Sequence, residues 1–185
     1  AVTGQYTNVG TVTGVPFGRY AYQGVLRPEI ARVPAIVPLA WFAMAVPARE
    51  AAHAALGARS SRLGRVALGA AALTAWDLFL DPQMVGEGYW QWARAGRYRG
   101  IPWTNYAGWF VTSAAVMAAL ELTLPADRPA DAELVAEYAT MAGMETLGFA
   151  VFFRDRVVAA VGGLGMLPVS ALAVRSLWHW RVRRG

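Results

Sequence analysis

Apolar residues in this chain come in long uncharged runs, separated by short stretches rich in arginine, glycine and proline. Gly100–Leu120 and Val157–Val174 carry no charge, nor do Val33–Ala48 and Val66–Trp76, and Tyr138–Phe153 is broken only by Glu145. A helix that crosses a bilayer needs roughly 17–25 mostly apolar residues. Gly100–Leu120 and Val157–Val174 meet that length alone; the others meet it with flanking polar residues. The pattern predicts an all-α, polytopic integral membrane bundle of about five transmembrane helices. These fall near Val33–Leu56, Leu63–Leu80, Trp103–Pro125, Glu137–Phe153 and from Val157 onward. A soluble all-α protein with a large core is the alternative.

The punctuation between the runs refines this picture. Residues 1–32 are polar and glycine-rich, and TGVPFGRYAY (Thr13–Tyr22) has the glycine and proline spacing of a loop. They read as an interfacial or re-entrant segment before a helical bundle over 33–185, all within a single membrane domain. Pro34 suits the first turn of the first helix, whereas Pro38 and Pro47 predict kinks inside it. Asp81-Pro82 predicts the end of the second helix, because the residue before proline disfavours the α region. Asp81 could equally cap a short helix that follows. Residues 82–102 then read as an interfacial connection carrying Tyr89, Trp90, Trp92 and Tyr98. Asp127–Glu137 reads as an acidic, water-exposed loop.

Composition supports the membrane class. Hydrophobic residues make up 56% of the 185 and charged residues only 16%, where a soluble domain carries about a quarter. All 17 basic residues are arginines, and they flank the apolar runs, as at Arg59, Arg62, Arg65, Arg94, Arg97, Arg99 and the C-terminal RVRRG. That placement reads as membrane flanks facing water or headgroups, not as a nucleic-acid surface. Five spans would put Arg59–Arg65 and RVRRG on one side, taken as cytoplasmic in a bacterial inner membrane. Cysteine is absent and there are two histidines, His53 and His179. Disulfides and thiolate metal sites are thereby excluded, a His-rich metal site is disfavoured, and no cofactor is called for. The chain opens on Ala1 with no basic-then-apolar leader, and reads as a fragment whose earlier helices lie outside it. Oligomeric state is not legible.

The candidate chemistry centres on Ala75–Val85, AWDLFLDPQMV, which sets Asp77 and Asp81 four residues apart in an apolar context. An acid inside a membrane segment is costly and marks a functional site by default. On a helix the two share a face. Glu145 sits in the middle of the fourth helix, where catalysis or an ion pair would explain it equally. Glu87 reads as solvated, and Glu121, near a helix end, as snorkelling to water. GIPWTNYAGW (Gly100–Trp109) places Trp103, Asn105, Tyr106 and Trp109 at a helix start, and Trp76 and Trp90 add to the aromatic set. Aromatic faces stabilise cations and line apolar pockets, and Asn105 can ligate a water or hydroxyl. Acids and aromatics together suit a polyene with a transient carbocation. DxxxD could instead hold Mg²⁺ against a diphosphate.

The blocks TGVPFGRYAY, VPAIVPLAW (Val33–Trp41), AWDLFLDPQMV and GIPWTNYAGW, in that order, resemble the membrane carotenoid biosynthesis protein family. That family includes CruF-type carotenoid 1,2-hydratases and bisanhydrobacterioruberin hydratase. The resemblance covers residues 13–110 well and the remainder by hydropathy. It implies a cofactor-independent hydro-lyase in the bilayer that adds water to the terminal double bond of an acyclic carotenoid end group. The family pattern falls on Asp77, Asp81, Pro82, Trp103, Asn105 and Tyr106. Members often carry a glutamate shortly before the TG-PFG block, whereas Ala1–Gly14 here contains no acid. Two other classes remain open at this point. One is an intramembrane Mg-dependent prenyltransferase or cyclase acting on a prenyl diphosphate; the other is a non-catalytic carotenoid- or lipid-binding protein.

Overall fold

The computed structural model describes residues 17–23, 26–30, 33–57, 60–124 and 128–182. Most of the polar N-terminal segment, Arg59 and the last three residues lie outside them. Five α-helices are present among the described residues: α1 Ile36–Leu56, α2 Arg62–Gly86, α3 Trp103–Thr123, α4 Ala132–Val151 and α5 Arg156–Val182. Four short strands accompany them: β1 Tyr20–Tyr22, β2 Glu29–Ile30, β3 Val33–Pro34 and β4 Trp90–Trp92. Arg62–Gly86 and Arg156–His179 are each long and apolar enough to cross a membrane.

The helix limits follow from local chemistry that differs in places from the expectation. Pro38 falls in the first turn of α1, where its missing N–H has no intrahelical partner to lose, so only Pro47 is interior. Gly57, at φ +76°, ends α1 by donating its N–H to the His53 carbonyl at 2.9 Å. Ser61 caps α2 by accepting the Gly64 N–H at 3.0 Å. Asp81-Pro82 does not stop α2, which carries Pro82 inside it and continues to Gly86. The residue before proline is disfavoured in a helix, not forbidden, and Asp81 is held there by side-chain bonds described below. The true stop is Gly88, at φ +74°. There the Tyr89 N–H reaches the Met84 carbonyl and the Gly88 N–H reaches that of Val85, the paired bonds of a Schellman motif.

Asp131 likewise moves the start of α4 to Ala132, five residues before Glu137. Its side chain accepts the N–H groups of Glu133 and Leu134, so much of the supposed acidic loop is the first turns of a helix. Asp155 caps α5 in the same way through Val157 and Val158. With only 152–155 between them, α4 and α5 pack as an antiparallel helical hairpin.

The described residues gather in two compact units, one drawn from Ala1–Phe42 and Leu80–Trp109, the other from Ala43–Phe79 and Phe110–Gly185. In the first, β1 pairs antiparallel with β4, Tyr20 opposite Trp92 and Tyr22 opposite Trp90. Strand alternation buries Trp90 and Trp92 on one face and exposes Gln91 on the other. A tight return at 96–101 follows, and a Cβ on Gly96 would lie 1.9 Å from the Ile101 carbonyl oxygen. Only glycine fits there.

In the second unit α2 and α5 approach closely through small residues. A Cβ on Gly162 would sit 2.5–2.6 Å from three atoms of the Phe79 ring, and one on Gly165 would sit 2.9 Å from the Ala75 Cβ. Phe79 is fully buried and stacks on Phe149 at 5.6 Å, so its ring has little room to yield. Gly162→Ala should destabilise the protein by about 1–3 kcal/mol, the usual cost of overpacking a filled core. Gly143→Ala, whose Cβ would meet nothing within 4 Å, is the control. Melting in detergent decides the point: equal midpoints for the two variants would mean the α2–α5 contact is loose.

A buried ionic cluster lies in the same unit. The Glu121 carboxylate accepts the Nε of Arg49 at 2.9 Å and the Nε of Arg65 at 2.7 Å. Glu50 accepts Nη1 of Arg49 at 2.6 Å, Nη2 of Arg128 at 2.5 Å and the Asp131 backbone N–H at 2.8 Å. Glu121 does not snorkel, and Arg65 is no water-facing flank; both are buried. Each group satisfies the charge that made the other look external. Tyr138 adds a neutral tie, its hydroxyl donating to the Ala72 carbonyl at 2.9 Å.

Candidate active site

Three elements of the first unit converge on Asp81. The last turns of α2 supply the carboxyl group, β4 supplies Trp90, and the first turn of α3 supplies Asn105. The Trp90 indole N–H donates to Asp81 Oδ1 at 3.1 Å, and the Asn105 side-chain amide donates to Oδ2 in a short bond. Asp81 is only 3% exposed and Asn105 is as deeply buried. A buried carboxyl group needs such donors, because leaving it unpaired is costly. The three residues therefore form one polar constellation.

Aromatic rings pack against Trp90, and further ring pairs lie elsewhere in the same unit. Tyr22 meets Trp90 edge-on at 5.8 Å and Tyr20 at 5.4 Å, and Tyr20 packs on Trp92 at 4.9 Å. Burial, with the neighbouring Tyr20 next in effect and Asp81 contributing, pushes the Tyr22 phenol well above its ordinary range. It stays a neutral hydroxyl at any working pH. Trp41 stacks flat on Trp109, centroids 3.8 Å apart, with Phe17 against Trp109 at 4.7 Å. Tyr98 and Tyr106 make a further edge-on pair at 6.0 Å. Such surfaces suit an extended polyene and the face of a cation.

The residues singled out in the sequence fall as follows. Asp81, Asn105 and Trp90 are brought into direct contact. Tyr106 and Trp109 lie in the aromatic pairs just described. Trp103 opens α3 with its ring 76% exposed. Asp77 lies one turn before Asp81 on α2 and is 1% exposed, in the stretch of that helix assigned to the second unit. Trp76 is buried beside it in sequence. Glu145 also belongs to the second unit, half-buried on α4, with no ion pair or hydrogen bond to its side chain among the described residues. The sequence did not single out Tyr22 or Trp41, and placed Trp92 in the interfacial connection without naming it a site residue. Strand alternation in YAY and WQW was the available signal for Tyr22 and Trp92. Nothing in the sequence paired Trp41 with Trp109.

No group of three or more His, Asp or Glu side chains among the described residues is placed to hold a metal ion. The described residues are mostly helical, two of the helices are long and apolar enough to cross a membrane, and a buried carboxyl group lies beside aromatic rings. The chain belongs to the carotenoid biosynthesis protein family, whose model matches residues 3–174. No curated protein and no solved structure is similar enough to count as a match.

Proposed function

We propose that this protein is an intramembrane hydratase that adds water to the terminal double bond of an acyclic carotenoid, giving a tertiary alcohol. The observation that carries the reading is the Asp81–Trp90–Asn105 constellation set among aromatic rings. All five helices cross or line the bilayer in this reading. Exposed Leu164, Leu167, Leu172 and Trp178 on α5, and Val111 and Leu122 on α3, then face lipid.

The chemistry runs in two steps. Asp77 gives its proton to the less substituted alkene carbon, the π pair forming the new C–H bond and leaving a tertiary carbocation. Tyr106, Trp109 and neighbouring rings stabilise that cation through their faces. A water positioned by Asp81 and Asn105 then attacks, its oxygen lone pair forming the C–O bond. The oxonium loses a proton to Asp81, and a proton returns to Asp77 on the same helix. The sum is one water added, with no redox change. Trp90 and Trp103 contact the polyene in this scheme.

The test is incubation of the purified protein with lycopene in heavy-oxygen water. The reading expects a hydroxylated product whose new oxygen carries the label. An unlabelled hydroxyl, or a product without oxygen, would contradict it.

A further inference from the structure

We propose that Trp92 recognises the oxygen in this reaction: its indole N–H holds the attacking water and then the tertiary hydroxyl of the product. The proposal deepens the hydratase reading and rests on it.

Trp90 and Trp92 lie on the same buried face of β4. The Trp90 N–H is taken by Asp81. The Trp92 Nε1, equally enclosed, finds no hydrogen-bond partner among the described residues. Buried donors are seldom left so. The ring itself is well seated, against Tyr20 at 4.9 Å and close to the backbone at Gly18, where an added Cβ would lie 3.6 Å from its Cζ3. What lacks a partner is one N–H, not the side chain.

An indole N–H is a donor only, so its partner must bring an acceptor. The end group of an acyclic polyene is pure hydrocarbon and has none. The oxygens that enter the reaction are those of the water and of the alcohol it becomes. Trp92 stands two residues from Trp90 on the same buried strand face, and the Trp90 N–H is the one Asp81 takes. The water donates one hydrogen to Asp81 and accepts the Trp92 N–H on one lone pair. Its second lone pair forms the C–O bond; the O–H bond to Asp81 then breaks, leaving the proton on the carboxylate. The product hydroxyl keeps the Trp92 hydrogen bond.

The experiment compares binding of lycopene and of its singly hydrated derivative to the purified protein in nanodiscs, by quenching of tryptophan fluorescence. Trp92→Phe removes the N–H and keeps an aromatic ring. Benzothienylalanine at position 92 removes the N–H and keeps the full ring shape, which covers the case that Trp92→Phe does not fold. The ratio of affinities, hydrated over unhydrated, should fall about fivefold in both variants, the worth of one neutral hydrogen bond. An unchanged ratio in variants that bind both carotenoids would overturn the role of Trp92 and leave the hydratase reading standing. Equal weakening of both ligands would overturn it too, since the ring would then act by packing alone. Failure of the wild type to bind either carotenoid would overturn the hydratase reading, and this proposal with it.

Discussion

Asp77→Asn is expected to lower carotenoid hydration on the order of 100- to 10,000-fold, the usual contribution of a positioned proton donor. Asparagine keeps the size and polarity of the side chain but has no acidic proton to give the alkene. The same substitution should leave folding nearly intact, because a buried neutral amide replaces a buried acid of equal volume. Asp81→Asn should be as damaging for a different reason. Asp81 accepts an N–H at each oxygen, and an amide nitrogen in place of one oxygen would face a donor with another donor. A second change, Asn105→Asp in the Asp81→Asn background, restores one acceptor–donor pair with the carboxyl group moved across it. It should recover stability without recovering full rate. Turnover of lycopene followed by chromatography, with melting in parallel, separates these effects. Full activity in Asp77→Asn would remove that residue from the mechanism.

Glu121→Ala should be the most destabilising single change in the second unit, by about 3–5 kcal/mol. Its carboxylate is the shared partner of Arg49 and Arg65, at 2.9 and 2.7 Å, with all three side chains buried. Arg49 retains Glu50 at 2.6 Å. Among the described residues Arg65 then retains only polar contacts at Ser60, so its charge is stranded in a low-dielectric setting. Breaking one partner of a buried pair costs far more than replacing the whole pair with apolar groups. The double variant Glu121→Leu with Arg65→Met should therefore recover a large part of the loss. Denaturation in detergent checks both outcomes. A wild-type midpoint for Glu121→Ala would mean that the cluster does not hold α1, α2 and α3 together.

Much of the helical frame was legible in the sequence because apolar runs and caps are local signals. Most of each uncharged stretch from Val66, Gly100, Tyr138 and Val157 falls in one helix, whereas the stretch from Val33 begins as β3, so Pro34 lies in a strand and α1 starts only at Ile36. Where the reading failed, a distant partner had overruled a local preference. Pro82 marked a stop, yet Trp90 and Asn105 hold Asp81 within the continuing helix. Asp131 was counted with a solvated acidic loop, although an aspartate before an apolar-periodic stretch is also a helix cap. Glu121 and Arg65 each looked external because each was judged without the other. Asp81 and Asn105 were singled out by chemistry, but their mutual hydrogen bond joins residues 24 apart, and no spacing rule announces that contact. The Trp41–Trp109 stack is longer-range still.

The most direct measurement is mass spectrometry of the pigments from a lycopene-producing host that expresses this protein, beside the same host expressing Asp77→Asn. Hydratase activity predicts products heavier than lycopene by one or two waters in the first culture and lycopene alone in the second. Unchanged lycopene in both, repeated with longer acyclic carotenoids and with the protein shown to be present in the membrane, would contradict it.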